Sequence, residues 1–195
     1  MSHRICPWWW GYLLASPTRR LKQNPRAILG PFILEGMTVL EPGPGMGFFT
    51  LELARLVGTQ GRVVAIDIQP KMIKRLMRRA ERAGLKDRIE VRLAKDEQLG
   101  TEDLEGTVDF VLAFAVVHEL PNAAAFFEEM FRCLKTGGRL FVSEPARRVC
   151  EEDFDCTVEM ATQSGFVIES RPAVRGNRSL VLVRAESPEA KALSG

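Results

Sequence analysis

The sequence predicts an α/β fold built on a mostly parallel sheet. Short β-branched runs alternate with amphipathic stretches, which is the pattern of βαβ units. A cluster of glycines lies between the first such strand and the helix after it. The run Val108 to Ala115 is apolar throughout, as a strand covered on both faces should be.

Taken in order, Thr38-Val39-Leu40-Glu41 reads as a buried strand. Gly43, Gly45 and Gly47 lead from it into a helix carrying Leu51, Leu53, Ala54 and Val57 that ends near Gly58. Arg62 to Asp67 is the second strand. Pro70 suits the first turn of a helix, where its missing N–H would have no partner anyway, and that helix runs through Met72, Ile73, Leu76, Met77 and Ala80 to Gly84. Ile89 to Leu93 is the third strand and Val108 to Ala115 the fourth. Asn122 is a ready N-cap for a helix with Phe126, Phe127, Met130 and Leu134, and Thr136-Gly137-Gly138 is expected to end it through a left-handed cap. Arg139 to Ser143 is the fifth strand. Phe166 to Ser170 and Ser179 to Arg184 read as two final strands. The link between them, with Gly176 and Asn177, is too short for a crossover helix, so they should pair antiparallel. No internal repeat is evident, and residues 186–195 read as a frayed tail.

Composition narrows the function classes. With 195 residues, 46% of them hydrophobic, the chain can bury a core without disulfide or metal staples. Its 27 Lys+Arg against 25 Asp+Glu give a net charge of +2, which argues against a domain that grips nucleic acid by charge alone. The cysteines Cys6, Cys133, Cys150 and Cys156 contain no Cys-x-x-Cys pair, and His3 and His118 complete no zinc spacing. No metal is therefore expected, and reduced thiols in a cytoplasm are the simplest reading. No apolar run approaches the ~20 residues needed to span a bilayer, so stable membrane insertion is not expected. Ile5 to Ala15 follows Arg4 and faintly imitates a signal peptide, a role that Pro7 and Trp8-Trp9-Trp10 suit badly.

The sharpest signal is Val39-Leu40-Glu41-Pro42-Gly43-Pro44-Gly45-Met46-Gly47. Glycines let a ligand approach the backbone, and the helix start beyond them offers free N–H groups and a positive dipole end. Asp67 ends the next strand, about 20 residues on, where a carboxylate can accept both hydroxyls of a ribose. The ligand therefore contains a nucleoside. A dinucleotide site spaces its glycines G-x-G-x-x-G, whereas these are evenly spaced and preceded by Glu41, an acid that would repel a pyrophosphate and welcome an ammonium.

These residues resemble the class I S-adenosylmethionine-dependent methyltransferases, particularly the small-molecule branch with the ubiquinone/menaquinone and arsenite enzymes. The resemblance runs from about Met37 to Arg184. It is carried by Glu41 to Gly47, Asp67, Asp109-Phe110-Val111, Lys135-Thr136-Gly137-Gly138-Arg139-Leu140 and the terminal strand pair. It implies a Rossmann-like three-layer αβα sandwich with a seven-stranded sheet in the order 3-2-1-4-5-7-6, strand 7 antiparallel. The resemblance also implies roles. Glu41 would hold the methionyl ammonium, the Gly43–Gly47 backbone would pass beneath the methionine, Asp67 would bind the ribose diol and Ile68 would cover an adenine face. Ala113 joins the cofactor contacts. An ungapped match puts Lys95 where the adenine-binding acid belongs, and Asp96 takes that role through a one-residue shift. The chain would then divide into an N-terminal aromatic segment 1–36 acting as a lid, a cofactor-binding domain 37–185 and the tail 186–195.

A sulfonium methyl is already activated, so such an enzyme chiefly aligns a nucleophile and excludes water. A base is needed only where the acceptor must lose a proton. His118, just beyond the fourth strand, where open α/β sheets place their ligands, is the candidate, with Glu119 to orient it or to assist a cationic acceptor. The other reading of His118 is a hydrogen-bonded rim residue without proton transfer. The acceptor, a small molecule, would sit among residues before Met37, the His118 loop and the stretch after Ser143 with Glu144, Pro145 and Arg147. Trp8, Trp9, Trp10 and Tyr12 either form an aromatic wall over the ligand or pack on the domain.

Three alternatives compete. Lys71, Lys74, Arg75, Arg78, Arg79 and Arg82 share a helical face that could meet RNA phosphates, although such a row is more often solvated. Cys150, Cys156 and Cys6 could gather arsenite, since thiolates prefer soft ions. The same loop could also serve a non-catalytic nucleoside-binding regulator or, against the glycine spacing, a nicotinamide-dependent reductase. Oligomeric state is left open.

Overall fold

The computed structural model describes residues 23–94 and 99–185. Its elements are α1 (Pro25–Leu29), β1 (Thr38–Pro42), α2 (Thr50–Leu56), β2 (Arg62–Asp67), α3 (Pro70–Arg82) and β3 (Ile89–Leu93), followed by β4 (Val108–Phe114), α4 (Ala123–Cys133), β5 (Leu134–Pro145), α5 (Glu151–Gln163), β6 (Phe166–Ser170) and β7 (Asn177–Arg184). The strands form one seven-stranded sheet in the order β3-β2-β1-β4-β5-β7-β6. β1 to β5 run parallel, and β7 pairs antiparallel with both β5 and β6. This is the three-layer, Rossmann-like arrangement expected.

Strand side chains alternate between faces, and the two faces bury two separate clusters. Val39, Val63, Ala65, Phe110, Leu112, Phe114, Phe141 and Val181 face α1, α2 and α3. Leu40, Val64, Ile66, Val111, Ala113, Leu140, Val142, Leu180 and Leu182 face α4 and α5. Residues 28–33, ahead of β1, belong to the first of these layers. Leu29 and Ile33 are buried there, and the Phe32 ring packs on those of Phe110 and Phe141 at centroid distances of 6.1 and 5.6 Å. Asp109 explains one of the sequence signatures as architecture. One of its oxygens accepts the Thr38 N–H at 2.8 Å and the other pairs with Lys135 Nζ at 2.6 Å, which ties together the starts of β1, β4 and β5.

Two expectations are corrected. The helix after Asn122 ends at Cys133, and Leu134 already has extended backbone and pairs with Val108 in the sheet. Thr136-Gly137-Gly138 therefore lies inside β5, where Gly137 (φ +77°) makes an irregularity in the ladder instead of a helix cap. Strand pairing wins because Thr107 donates its N–H to the Cys133 carbonyl at 3.1 Å, capturing the chain for the sheet as the helix ends. The second correction is α5, a helix that the sequence reading left out. Cys150 caps it by accepting the Asp153 N–H at 3.4 Å, and three acids, Glu151, Glu152 and Asp153, occupy its first turn, where they favour the helix dipole. Among the described residues, no helix is long and apolar enough to cross a membrane.

Candidate active site

The strand order reverses between β1 and β4, with β2 and β3 on one side and β5 on the other. Loops leaving neighbouring strands in opposite directions open a crevice at the carboxyl ends, and this is where the polar residues gather. Three chain segments meet there: the glycine loop after β1, the end of β2 and the turn after β4.

The glycine loop is fixed by its own backbone. Gly43 donates to the Ile66 carbonyl at 2.8 Å, Gly45 to Asp67 Oδ2 at 3.3 Å and Gly47 to the Pro44 carbonyl at 3.0 Å. Arg79 on α3 donates to the Met46 carbonyl, so one member of the basic helical row braces the loop. Gly43, Gly45 and Gly47 all have positive φ (+71°, +54° and +79°). A Cβ on Gly43 would meet Val116 Cγ2 at 2.9 Å and one on Gly47 would meet Leu76 Cδ1 at 2.3 Å, whereas one on Gly45 would meet nothing. Two glycines thus permit close packing, and the middle one faces open space.

Two carboxylates flank this loop. Glu41, at 3% exposure, has an enclosed Oε2 with no hydrogen-bond partner among the described residues. Burial pushes its pKa up to about 8, the nearby Thr50 hydroxyl pulls it partly back, and the Asp67 charge adds to the rise. Asp67 is also raised by burial, to about 6, against the N–H donors of Gln69 and Gly45. Its Oδ1 accepts from Gln69 at 2.8 Å and its Oδ2 from Gly45. A carboxylate has about four lone-pair sites, so Asp67 keeps accepting capacity for a ligand beside these donors and the Ile68 N–H. Beside it, Ile68 is 45% exposed, an apolar surface at the crevice edge.

This arrangement fits an aminoacyl nucleoside. A buried acid lacking a donor suits an ammonium, a loop with open space over its central glycine suits a chain lying along the backbone, and an acid with spare lone pairs beside an exposed aliphatic residue suits a ribose and its base. Ala113, by contrast, has no accessible surface and belongs to the core facing α4. Lys95 and Asp96 lie outside the described residues, as do the tryptophans, Tyr12, His3 and Cys6 of segment 1–22 and the tail 186–195.

The turn after β4 faces the glycine loop through the Gly43–Val116 contact. It begins at Ala115, whose φ of 57° is the one positive value at a non-glycine among the described residues. Such a conformation costs about 1–2 kcal/mol and persists only where the surroundings impose it. Here the Ala115 N–H is held by the Ser143 carbonyl at 2.8 Å. His118 follows, its Nδ1 paired closely with Glu144 Oε2. The other oxygen of Glu144 accepts the Val117 N–H at 2.8 Å. His118 Nε2 is enclosed without a hydrogen-bond partner among the described residues, and Glu119 Oε1 lies 3.8 Å from it. Arg148 Nη1 approaches that same Glu119 oxygen at 3.5 Å. The residue paired with His118 Nδ1 is therefore Glu144 at the end of β5, which the sequence reading placed only in the pocket wall. Two strand ends meeting across the sheet leave no signal in local spacing.

Cys133 is buried, and Cys150 and Cys156 are exposed, all three as free thiols. Among the described residues no cluster of His, Cys, Asp or Glu is suited to a metal ion.

Residues 33–173 match a family model described as a methyltransferase domain. The chain is 34% identical over 143 residues to a ubiquinone biosynthesis O-methyltransferase of Methylocella silvestris, covering 72% of this chain and 53% of that protein. It is 31% identical over 121 residues to an arsenite methyltransferase of Halobacterium salinarum, covering 62% of this chain and 30% of that one. The chain thus spans about a third to a half of the length of these curated relatives. Among solved structures, an S-adenosylmethionine-dependent methyltransferase from Aquifex aeolicus is 26% identical with a TM-score of 0.82, over 93% of this chain and all of that one.

Proposed function

We propose, for a chain that belongs to the class I S-adenosylmethionine-dependent methyltransferases, that it transfers the methyl group to a small-molecule acceptor held in the crevice between the β1 and β4 ends. The observation that carries this is the buried, partnerless Glu41 oxygen set across the glycine loop from Asp67. Glu41 would hold the ammonium, the Gly43–Gly47 backbone would underlie the methionine part, Asp67 would accept from the ribose hydroxyls, and Ile68 would cover the adenine. When bound, the cofactor supplies an activated sulfonium methyl.

The work left to the chain is to position the acceptor, exclude water and take up a proton where the acceptor has one to lose. His118 and Glu119, on the turn that meets Gly43 through Val116, would take on those tasks. Residues 37–185 would form the body that binds the cofactor, with residues 25–33 of the preceding segment packed against its sheet rather than over the acceptor. The small net charge supports a small molecule over RNA. Calorimetric titration with S-adenosylhomocysteine and, separately, NADH tests the reading. Saturable binding of the former alone is expected, and binding of NADH without S-adenosylhomocysteine would overturn it.

A further inference from the structure

The contacts of Glu144 assign a tautomer to His118, and the tautomer constrains the acceptor. Glu144 is 1% exposed and uses both carboxylate oxygens inward. A buried carboxylate is tolerated only where donors satisfy it. One donor is the Val117 main-chain N–H, which can do nothing else. The other is His118 Nδ1. With both Glu144 oxygens turned to donors, Nδ1 carries the hydrogen and Nε2 offers the ring's lone pair. That atom is the enclosed, partnerless one.

Glu144 is itself held firmly. Its backbone stands in antiparallel register with Arg178 of β7, and the preceding Ser143 hydroxyl is bonded to Ser179 Oγ and Asn177 Nδ2, each at 2.9 Å. The turn it grips is fastened twice to β5, at Ala115 and at Val117, and carries the strained Ala115 conformation as a result. A base must keep its ring in one orientation, and this is a ring held by a buried acid on a rigid strand.

We propose that Glu144 is a positioning residue that holds His118 in the Nδ1–H tautomer, so that Nε2 takes the proton of a hydroxyl-bearing methyl acceptor. The inference rests on the methyltransferase reading above and specifies its substrate class. A phenol-like hydroxyl, with a pKa near ~10, is a poor nucleophile until its proton leaves, whereas a soft nucleophile such as arsenite carries a free lone pair and needs no base. In the step, the acceptor O–H proton passes to His118 Nε2 and the O–H electron pair forms the new O–CH3 bond. The C–S bond breaks with its pair returning to sulfur, which leaves a neutral thioether and an imidazolium paired with Glu144. The charged groups facing the ring are Glu144 from β5 and Glu119 from its own turn, with Arg148 beyond Glu119 and Asp67 acting on Glu119 from the β2 end.

The chain has two histidines, so nitrogen-15 NMR of the imidazoles with S-adenosylhomocysteine present, assigned with His118→Ala, reads the tautomer directly. The expected result is a neutral His118 protonated on Nδ1, with that preference lost in Glu144→Gln. A neutral ring protonated on Nε2 in the natural protein, or an unchanged tautomer in Glu144→Gln, overturns the proposal. Glu144→Gln keeps an acceptor for Val117, and should it fail to fold, the tautomer of the natural protein still decides. With catechol as the probe acceptor, Glu144→Gln should lower kcat at least about tenfold at nearly constant KM and move the acid limb of the pH profile to lower pH. A purely structural role would leave that limb in place. Methyl transfer to arsenite with none to catechol also overturns it. Failure of S-adenosylhomocysteine to bind at all would remove the methyltransferase reading, while binding with the opposite tautomer removes only this inference.

Discussion

In the proposed reading, Glu41 is the side chain that meets the ammonium of the ligand. Its carboxyl is buried, lacks a partner on Oε2 and is pushed up to about 8, so near neutral pH the protein without ligand holds it mostly protonated. Replacing it by Gln keeps the shape and removes the charge that an ammonium would meet. Loss of a charged hydrogen bond costs about 1.5–3 kcal/mol, so Glu41→Gln should weaken S-adenosylhomocysteine binding by about 10- to 100-fold in calorimetry while raising the ligand-free melting temperature at pH 8. Unchanged affinity would remove Glu41 from the site. Glu41 and Asp67 stand out as candidates in the sequence because each lies beside an irregularity that local sequence displays, a glycine run and a strand end. Glu144 was not legible as the partner of His118, because its contact joins residues 26 positions apart whose meeting depends on the β4–β5 register.

The elements were legible wherever one periodicity held without competition. β1 to β4 and the helices between them follow their apolar spacing, and the turn residues stand where positive φ is needed. α5 was overlooked although Phe154, Val158 and Ala161 lie on one buried face behind an acidic first turn, because its cap is a cysteine, a weaker cue than Ser, Thr, Asp or Asn. The Gly137-Gly138 pair misled for the opposite reason, since left-handed glycine serves both helix ends and strand irregularities. Within the glycine loop, the three positions should behave differently. Gly45→Ala pays the positive-φ cost of about 1–2 kcal/mol and places a methyl in the open crevice, so ligand affinity should fall more than stability. Gly43→Ala adds a clash with Val116 on the turn that carries His118. It should therefore disturb both halves of the site, lowering kcat as well as affinity, with the melting temperature falling further than for Gly45→Ala. Equal thermal and kinetic effects at the two positions would contradict the contact pattern.

At the level of the whole molecule, the two raised carboxyls couple stability to ligand binding through protons. Glu41 rises from an ordinary 4.5 to about 8 and Asp67 from 3.8 to about 6, both chiefly through burial. In each case the folded chain binds more protons than the unfolded one between the two values. Their contribution to stability is therefore complete below about pH 4 and is lost as pH rises through 6 and then 8. An ammonium placed against Glu41 reverses the balance, because it favours the ionised carboxylate and pulls that pKa back down. Binding of an aminoacyl nucleoside should then expel a proton from the protein. Titrations with S-adenosylhomocysteine at pH 7, run in two buffers of different ionisation enthalpy, should register a net release approaching one proton, with affinity increasing from pH 6 to 8 and levelling above it. Glu41→Gln should abolish most of that release and flatten the fall in ligand-free melting temperature over the same range. Release that persists undiminished in Glu41→Gln would assign the proton to another group and separate the buried acid of β1 from the ligand.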